Sequence, residues 1–124
     1  MDRKFYASLE AARLLKEKGY DRECIAYYQN DEFHPYAFSR YDLSINDKNA
    51  APPYMNQYSA PTKSEAIDWL ESKGIGISII FCEIDMYEYV VESKDCYYSV
   101  VESGYKETRL EAEEAAIVKA CELL

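Results

Sequence analysis

The sequence predicts an α+β domain: two layers, with a mostly antiparallel sheet of about four to five strands and three helices over one face. Three segments carry apolar residues at helical spacing, each behind a residue that can cap a helix. The segments between them alternate apolar and polar residues, as half-buried strands do. With 124 residues, the chain has room for one such core. We therefore expect a single domain, residues 1–124, in the order α-β-β-α-β-β-β-α.

The helix boundaries follow from capping residues. The first helix is predicted to begin at Ser8 and to end before Gly19. The second begins at Thr62 and closes at Gly74, and the third begins at Thr108 and runs to the C-terminus. The third helix is expected to present one apolar face made of Leu110, Ile117, Cys121 and Leu124, with Ala120 beside them.

The strands follow from alternation. The pattern predicts five strands, over residues 24–29, 38–45, 75–82, 86–92 and 97–102, with a hairpin turn at 93–95. Residues 75–82 are apolar on both sides at their end, which is typical of a central strand. Residues 30–61 hold all four prolines and are expected to form an irregular segment around the weak strand.

The first two predicted helices have similar sequences. Residues 10–19 and 65–74 match at five of ten positions. A duplicated helix–strand unit would explain this, but an apolar stripe with a glycine cap produces such matches unaided. We favour the second explanation.

The charge balance restricts the partners. A formal charge of −9 disfavours nucleic acid, whose binding depends on cations that neutralise phosphates, and disfavours anionic lipid. It favours solubility or a basic partner. The longest uncharged apolar stretch, residues 74–82, falls far short of the roughly 20 residues that a membrane helix needs. We therefore expect no membrane association.

The cysteines are predicted to be structural thiols. The N-terminal residues lack the apolar run of a secretory signal, so we expect a cytoplasmic protein with reduced thiols. Three cysteines, Cys24, Cys82 and Cys121, have apolar neighbours and are expected in the core; the fourth is Cys96. No C-x-x-C pair or zinc spacing is present, so neither a metal nor a cofactor is expected.

The sequence contains little that indicates catalysis. It has no P-loop, no G-x-G-x-x-G and no G-x-S-x-G motif. The one histidine, His34, lies in a predicted loop tip, and a solvated side chain is the simplest interpretation. The alternative is a small enzyme or ligand-binding protein with a pocket near His34 and a cysteine such as Cys24.

Tyrosine is the unusual feature of the composition, at 13 of 124 residues. Tyrosine buries a large area at low entropic cost and keeps a polar tip, which suits recognition surfaces. Rings on an uncovered sheet face would form a patch for an unknown protein partner or a second copy of the chain. Tyrosine also simply suits strands, and both interpretations stay open. The candidate binding residues are Tyr28, His34, Tyr36, Tyr41, Tyr87, Tyr89 and Tyr98.

The chain also resembles a known group of sequences. The resemblance is carried by residues 6–12 and 15–20, by 60–62, 69–70 and 73–75, and by 105–108 leading into 111–124. On these residues the chain is similar to small uncharacterised proteins of gut Bacteroidetes, found in phages and mobile elements. The resemblance spans most of the chain, but its motifs are mainly caps and core positions. It implies an accessory role in the cytoplasm of a bacterial host and assigns no catalytic residue.

Together these observations favour a non-enzymatic accessory protein that binds another protein. The binding surface would be the tyrosine-rich sheet face or the irregular segment, residues 30–61.

Overall fold

The computed structural model describes residues 3–35, 56–93 and 100–124. The described residues form an α+β structure with three α-helices, as the sequence predicts. The chain divides into two compact units, Met1–Thr62 and Lys63–Leu124. The expectation of one domain stays a prediction. The elements are a 3₁₀ turn at Arg3–Phe5, then α1 (Leu9–Glu17), β1 (Tyr27–Gln29), β2 (Glu32–His34), β3 (Gln57–Ser59), α2 (Lys63–Ser72), β4 (Ile75–Glu83), β5 (Met86–Ser93), β6 (Val100–Lys106) and α3 (Arg109–Leu123).

Helix α1 has the ends that the sequence predicts. The Oγ of Ser8 accepts a hydrogen bond from the backbone N–H of Ala11 at 3.1 Å. At the other end Gly19 has a φ of 93°, and the N–H of Tyr20 donates to the carbonyl of Leu15 at 2.9 Å. This is the backbone bond of a Schellman cap, and both side chains are buried.

The first unit holds a three-stranded antiparallel sheet in the order β2-β1-β3. Asn30 and Asp31 join β1 to β2 with φ values of 51° and 68°, which the tight turn of a two-residue hairpin requires. Tyr28 of β1 lies opposite Phe33 of β2 and Tyr58 of β3. Its ring packs in a core with Ala12, Ala26 and Ala60. The first unit therefore has its own small core under α1.

Two of these strands differ from the sequence prediction. Strands β2 and β3 lie inside residues 30–61, which were expected to be irregular apart from 38–45. The earlier strand begins at Tyr27 rather than at Cys24. The predicted strand at 38–45 lies outside the described residues.

The second unit packs α2 and α3 against a sheet in the order β4-β5-β6. On the helix-facing side Ile75, Tyr89 and Val91 are buried, whereas Phe81 near the hairpin turn is exposed. Alternate side chains point to the side away from α2 and α3. Both helices of this unit therefore pack on the side of the sheet that holds Tyr89 and Val91.

The described strands thus form two sheets of three strands each, not one sheet of four to five. Strand β4 was expected to be central because residues 75–82 are apolar on both sides. Instead it lies at an edge of the described sheet, and several of its apolar side chains are exposed. The predicted hairpin turn at 93–95 falls partly outside the described residues.

Helix α3 buries only part of the face that was expected: Ile117, Ala120 and Cys121 are buried as predicted. Thr108 caps it as predicted, with its Oγ1 accepting from the N–H of Glu111 at 3.1 Å. Leu110 is only half-buried and Leu124 is exposed. Small side chains let the helix approach the sheet closely, so the buried face consists of Ala112, Ala116, Ile117, Ala120 and Cys121.

Candidate functional site

The predicted binding residue Tyr28 is part of the first unit's core. Its side chain is fully buried, and its hydroxyl donates a hydrogen bond to the carbonyl of Ala7 at 2.7 Å. The guanidinium of Arg3 lies 5.6 Å from the centre of the ring. A ring held in this way stabilises the fold and offers no surface to a partner.

His34 lies on β2 rather than in a loop tip. Its imidazole stacks on the ring of Tyr27, with centres 5.0 Å apart and planes 23° from parallel. Cys24, the thiol nearest in sequence, is buried, with its Sγ 3.8 Å from the hydroxyl of Tyr20. Reactive thiols are usually partly exposed in an electropositive setting. This environment is that of a structural thiol.

The tyrosines of β5 point towards the helices of the second unit. Tyr89 is buried and lies directly opposite Gly104 of β6, where the absence of a side chain leaves room for the ring. Tyr87 is half-buried, and its ring meets that of Phe81 edge-on at 5.5 Å. Because Tyr28 belongs to the other sheet and Tyr89 is covered, these tyrosines do not share one uncovered sheet face. Tyr36, Tyr41 and Tyr98 lie outside the described residues.

The opposite side of this sheet presents exposed apolar side chains. Ile80, Glu88 and Tyr105 lie side by side across β4, β5 and β6. Ile80 is 45% exposed and Tyr105 is 57% exposed. We call this side the open face; by strand register it consists of Ser78, Ile80, Cys82, Glu88, Val90, Glu92, Ser103 and Tyr105.

Cys82 is exposed on the open face and is not a core residue, contrary to the sequence prediction; Cys24 and Cys121 are buried as predicted. Its Sγ lies 3.7 Å from the carbonyl oxygen of Ile80. It follows the apolar residues 79–81 and precedes Glu83, and the alternation of the strand directs it away from the helices. The sequence prediction inferred the burial of Cys82 from the residues beside it in the chain, whereas burial depends on which side of the sheet the side chain faces.

An acidic group sits at the centre of the open face. Glu88 accepts a hydrogen bond from the hydroxyl of Tyr105, and this bond together with the carboxylate's charge raises the pKa of Tyr105. A smaller contribution comes from Cys82. The open face therefore combines apolar rings and branched side chains with a fixed negative charge.

The hairpin between β4 and β5 carries further exposed apolar side chains. Its turn residue Asp85 has a φ of 61°, and Ile84 beside it is 84% exposed. Phe81 is also exposed, but it alternates with Ile80 and therefore lies on the helix-facing side of β4. A shallow cleft of about 300 Å³ lies next to the turn, lined by Phe81, Ile84, Asp85, Tyr87, Glu107, Thr108 and Arg109. The hairpin end therefore adds exposed apolar area to the second unit.

A second cleft, of about 290 Å³, lies between α2, the start of α3 and β4. Its floor is apolar, from Ile67, Ile77 and Ile79, and carboxylates from α2 and α3 surround it. One of these carboxylates, Glu113, lies 3.4 Å from the Nε of Arg109. The complete lining is Ser64, Ile67, Asp68, Glu71, Ile77, Ile79, Arg109 and Glu113.

The acidity of the chain is concentrated in the second unit. Of the 23 acidic and 14 basic residues, Lys63–Leu124 holds 14 and 6, which gives this unit a formal charge of −8. Met1–Thr62 holds the other 9 and 8, a formal charge of −1. The unit with the open face is thus the acidic one.

The described residues contain no cluster of three or more histidine, cysteine, aspartate or glutamate side chains that could hold a metal ion. Within the same residues, no helix has the length and apolar character to cross a bilayer. No family model matches the chain, and neither curated proteins nor solved structures include one that is significantly similar to it.

Sequence reasoning missed the residues that the open face exposes. Tyr105 was overlooked because the last strand was predicted to end at residue 102, whereas β6 continues to Lys106. Ile80 was assigned to a strand covered on both sides. The signal was present in Ser78, which alternates with the isoleucines of β4 and indicates that one side of the strand meets solvent.

Proposed function

We propose that this chain is a non-enzymatic module that binds a protein partner with a basic surface, through the open face of its second unit. The carrying observation is the row of Ile80, Glu88 and Tyr105, which exposes apolar groups around a carboxylate in a unit of charge −8. Apolar contacts supply affinity, and the negative charge selects and steers a basic partner.

The position of the exposed groups supports this proposal. Ile80 and Tyr105 flank Glu88 across the three strands, and Ile84 lies at the hairpin turn of the same sheet. Apolar side chains scattered over a surface need no explanation, whereas neighbouring ones on one side of a sheet form a patch that a partner can cover. The tyrosine-rich face expected from the sequence is thus replaced by a mixed face with a single described tyrosine.

The test is affinity purification of partners on the full chain, comparing variants by quantitative mass spectrometry. Ile80→Ser and Tyr105→Ser remove exposed apolar groups without altering charge. The matched control is Phe5→Ser, which truncates a ring that is 51% exposed in the first unit. We expect a basic protein to be retained by the wild type and by the control, to be lost from both open-face variants and to dissociate at high salt. Equal recovery of the basic protein by the wild type, the control and both open-face variants would contradict the proposal.

The alternative of a small enzyme or ligand-binding protein centred on His34 has less support. Cys24 is buried, and the exposed thiol, Cys82, belongs to the second unit. We expect an alkylating reagent at neutral pH to modify Cys82 at the rate of an ordinary exposed thiol, while Cys24 and Cys121 react slowly in the folded state. Faster alkylation of Cys24 than of Cys82 would instead support a reactive site near His34.

The accessory role in a phage or mobile element, in the cytoplasm of a bacterial host, is part of the same proposal. It rests on the sequence resemblance, and an acidic binding module suits such a role. The identity of the partner recovered above tests it: a host or phage cytoplasmic protein is expected.

A further inference from the structure

Strand β4 offers a long edge without a strand partner in the described chain. Its nine residues, Ile75–Glu83, pair with β5 on one side only. In an antiparallel sheet, every second residue of an edge strand turns its N–H and C=O groups away from the sheet. A strand of this length presents about 30 Å of such an edge.

The edge lacks most of the features that usually protect edge strands. Residues 75–82 contain no lysine, no other charged residue and no proline. The one irregularity, a register shift between Phe81 and Glu83, lies close to the hairpin turn. Residues 75–80 therefore form a regular edge that can accept another strand.

The surroundings of the edge are acidic at both ends. Near the start of β4, Glu71 and Glu92 line a cleft of about 280 Å³ with Gly74, Gly76 and Ser93. At the other end come Glu83 and Asp85. A basic residue close to the start, Lys73, holds its ammonium 5.4 Å from the centre of the Trp69 ring. The carboxylates at the two ends outnumber this one ammonium, which favours a basic occupant over a second copy of this acidic chain.

A side-chain cleft accompanies the edge on its helix-facing side. The two sheet residues that line the 290 Å³ cleft, Ile77 and Ile79, both come from β4. Their partners in the lining include the carboxylates of Asp68 and Glu71 on α2. A lysine or arginine fits such a cleft, because its methylene stem contacts the isoleucines while its charged end reaches the carboxylates.

We propose that the free edge of β4 takes an extended basic segment of a partner protein as a fourth antiparallel or parallel strand. Basic side chains of the added strand would enter the cleft beside α2, and the alternate, apolar side chains would lie beside Ile80 on the open face. Main-chain hydrogen bonds supply affinity in this binding mode, and pockets for alternate side chains supply specificity. This inference rests on the proposed function and adds the way in which the partner is held.

The probe is a synthetic peptide of alternating lysine and valine, compared with two N-methylated forms. One form is methylated at the lysine amides and the other at the valine amides. An added strand directs only one of these two sets of N–H groups at β4. The form methylated on that set should therefore lose at least tenfold in affinity for the full-length protein. The other form should bind within about twofold of the parent. Fluorescence anisotropy at low salt measures all three. Equal binding of the two methylated forms, or no binding of the parent peptide, would overturn strand addition.

Two further measurements locate the site. Hydrogen exchange of the full chain should slow at backbone amides of β4 when the parent peptide binds and stay unchanged in α1. Glu71→Gln should weaken peptide binding about threefold, as expected for one exposed ion pair, whereas the control Glu122→Gln should not. If the peptide protects amides outside β4 from hydrogen exchange, the site is not the edge of β4. If the free protein sediments as a dimer whose β4 amides are already protected, the occupant is a second copy and not a basic segment.

The two proposals fail separately. If partner recovery depends on Ile80 and Tyr105 while the methylated peptides bind alike, the open face is the binding surface and strand addition is wrong. If strand addition holds for the peptide but partner recovery ignores the open face, the function proposed above is wrong.

Discussion

At the scale of single residues, the packing of Tyr89 over Gly104 shows why the last strand holds a glycine in its middle. A Cβ built on Gly104 would lie 2.6 Å from the hydroxyl oxygen of Tyr89 and 2.7 Å from its Cζ. Such approaches do not occur between real atoms, so any side chain at this position must displace the ring. The ring is buried, and its displacement disturbs the core of the second unit.

We expect Gly104→Ala to lower the free energy of unfolding by about 1–3 kcal/mol, the usual cost of overpacking. Chemical denaturation monitored by circular dichroism measures this. The control is Gly76→Ala in the same sheet, where the nearest atom to an added Cβ is the carbonyl oxygen of Glu92 at 3.9 Å. That variant should be close to neutral. If Gly104→Ala costs as much in a Tyr89→Ala background as in the wild type, the ring is not the cause.

The pairing of Tyr105 with Glu88 makes a pH prediction. The hydrogen bond and the carboxylate's charge raise the pKa of Tyr105, so the folded state favours the protonated phenol. The stabilisation is fully present below the unfolded pKa and is lost as the pH rises through the higher folded value. We expect Glu88→Gln to lower the pKa of Tyr105 towards its ordinary value.

Carbon NMR of ring-labelled tyrosine follows this titration, with the signal assigned by Tyr105→Phe. Glu92→Gln, on the same face, is the control and should leave the titration unchanged. An unaltered pKa of Tyr105 in Glu88→Gln would show that the pair does not form in solution.

At the scale of secondary-structure elements, the helices could be predicted closely and the strands only in part. Each helix is bounded by local chemistry, such as the hydroxyl of Ser8 or the φ of 93° at Gly19, and local chemistry can be inferred from sequence. Sheet membership depends on residues far apart in sequence. Nothing local indicates that β3 (Gln57–Ser59) pairs with β1, or that β4 lies at an edge.

The same distinction applies to the candidate site. Tyr87 and Tyr89 were correctly placed on a strand, but which side of that strand the helices cover is decided by the packing of α2 and α3. The hairpin turn at Asn30–Asp31, in contrast, could have been predicted from local sequence. Two adjacent residues that tolerate positive φ, placed between short alternating segments, are a local hairpin signal. The prolines that follow this turn indicated an irregular segment instead, and the hairpin was therefore not predicted.

The cap of α3 provides a prediction at this scale. Thr108 accepts the N–H of Glu111, so Thr108→Ala should destabilise the protein by about 1 kcal/mol, whereas Thr108→Ser should have little effect. Urea denaturation measures both variants. Equal stability of the alanine and serine variants would mean that the hydroxyl contributes nothing to helix α3.

At the scale of the whole molecule, charge distinguishes the two units. Lys63–Leu124 carries a formal charge of −8 and Met1–Thr62 a charge of −1, and like charges within a Debye length destabilise a compact state. Salt shortens that length from about 10 Å at 0.1 M to about 3 Å at 1 M. Added sodium chloride should therefore slow hydrogen exchange in α3 more than in α1. Equal slowing in the two helices would contradict this account.

The strand order of the two sheets also indicates why α1 and α2 have similar sequences. Each is followed by three described strands, but the first strand after the helix is central in one sheet and at an edge in the other. A duplication would be expected to keep that order. The arrangement favours shared capping and stripe patterns as the cause of the sequence match.

The uncharged edge of β4 has a consequence for handling the protein. Segments with high β-propensity, no charge and no proline stack readily into cross-β fibrils once the molecules can approach one another. At neutral pH the excess of nine negative charges keeps copies apart. Acidification towards the isoelectric point removes that repulsion, so mildly acidic storage or purification should promote fibril growth seeded by residues 75–82.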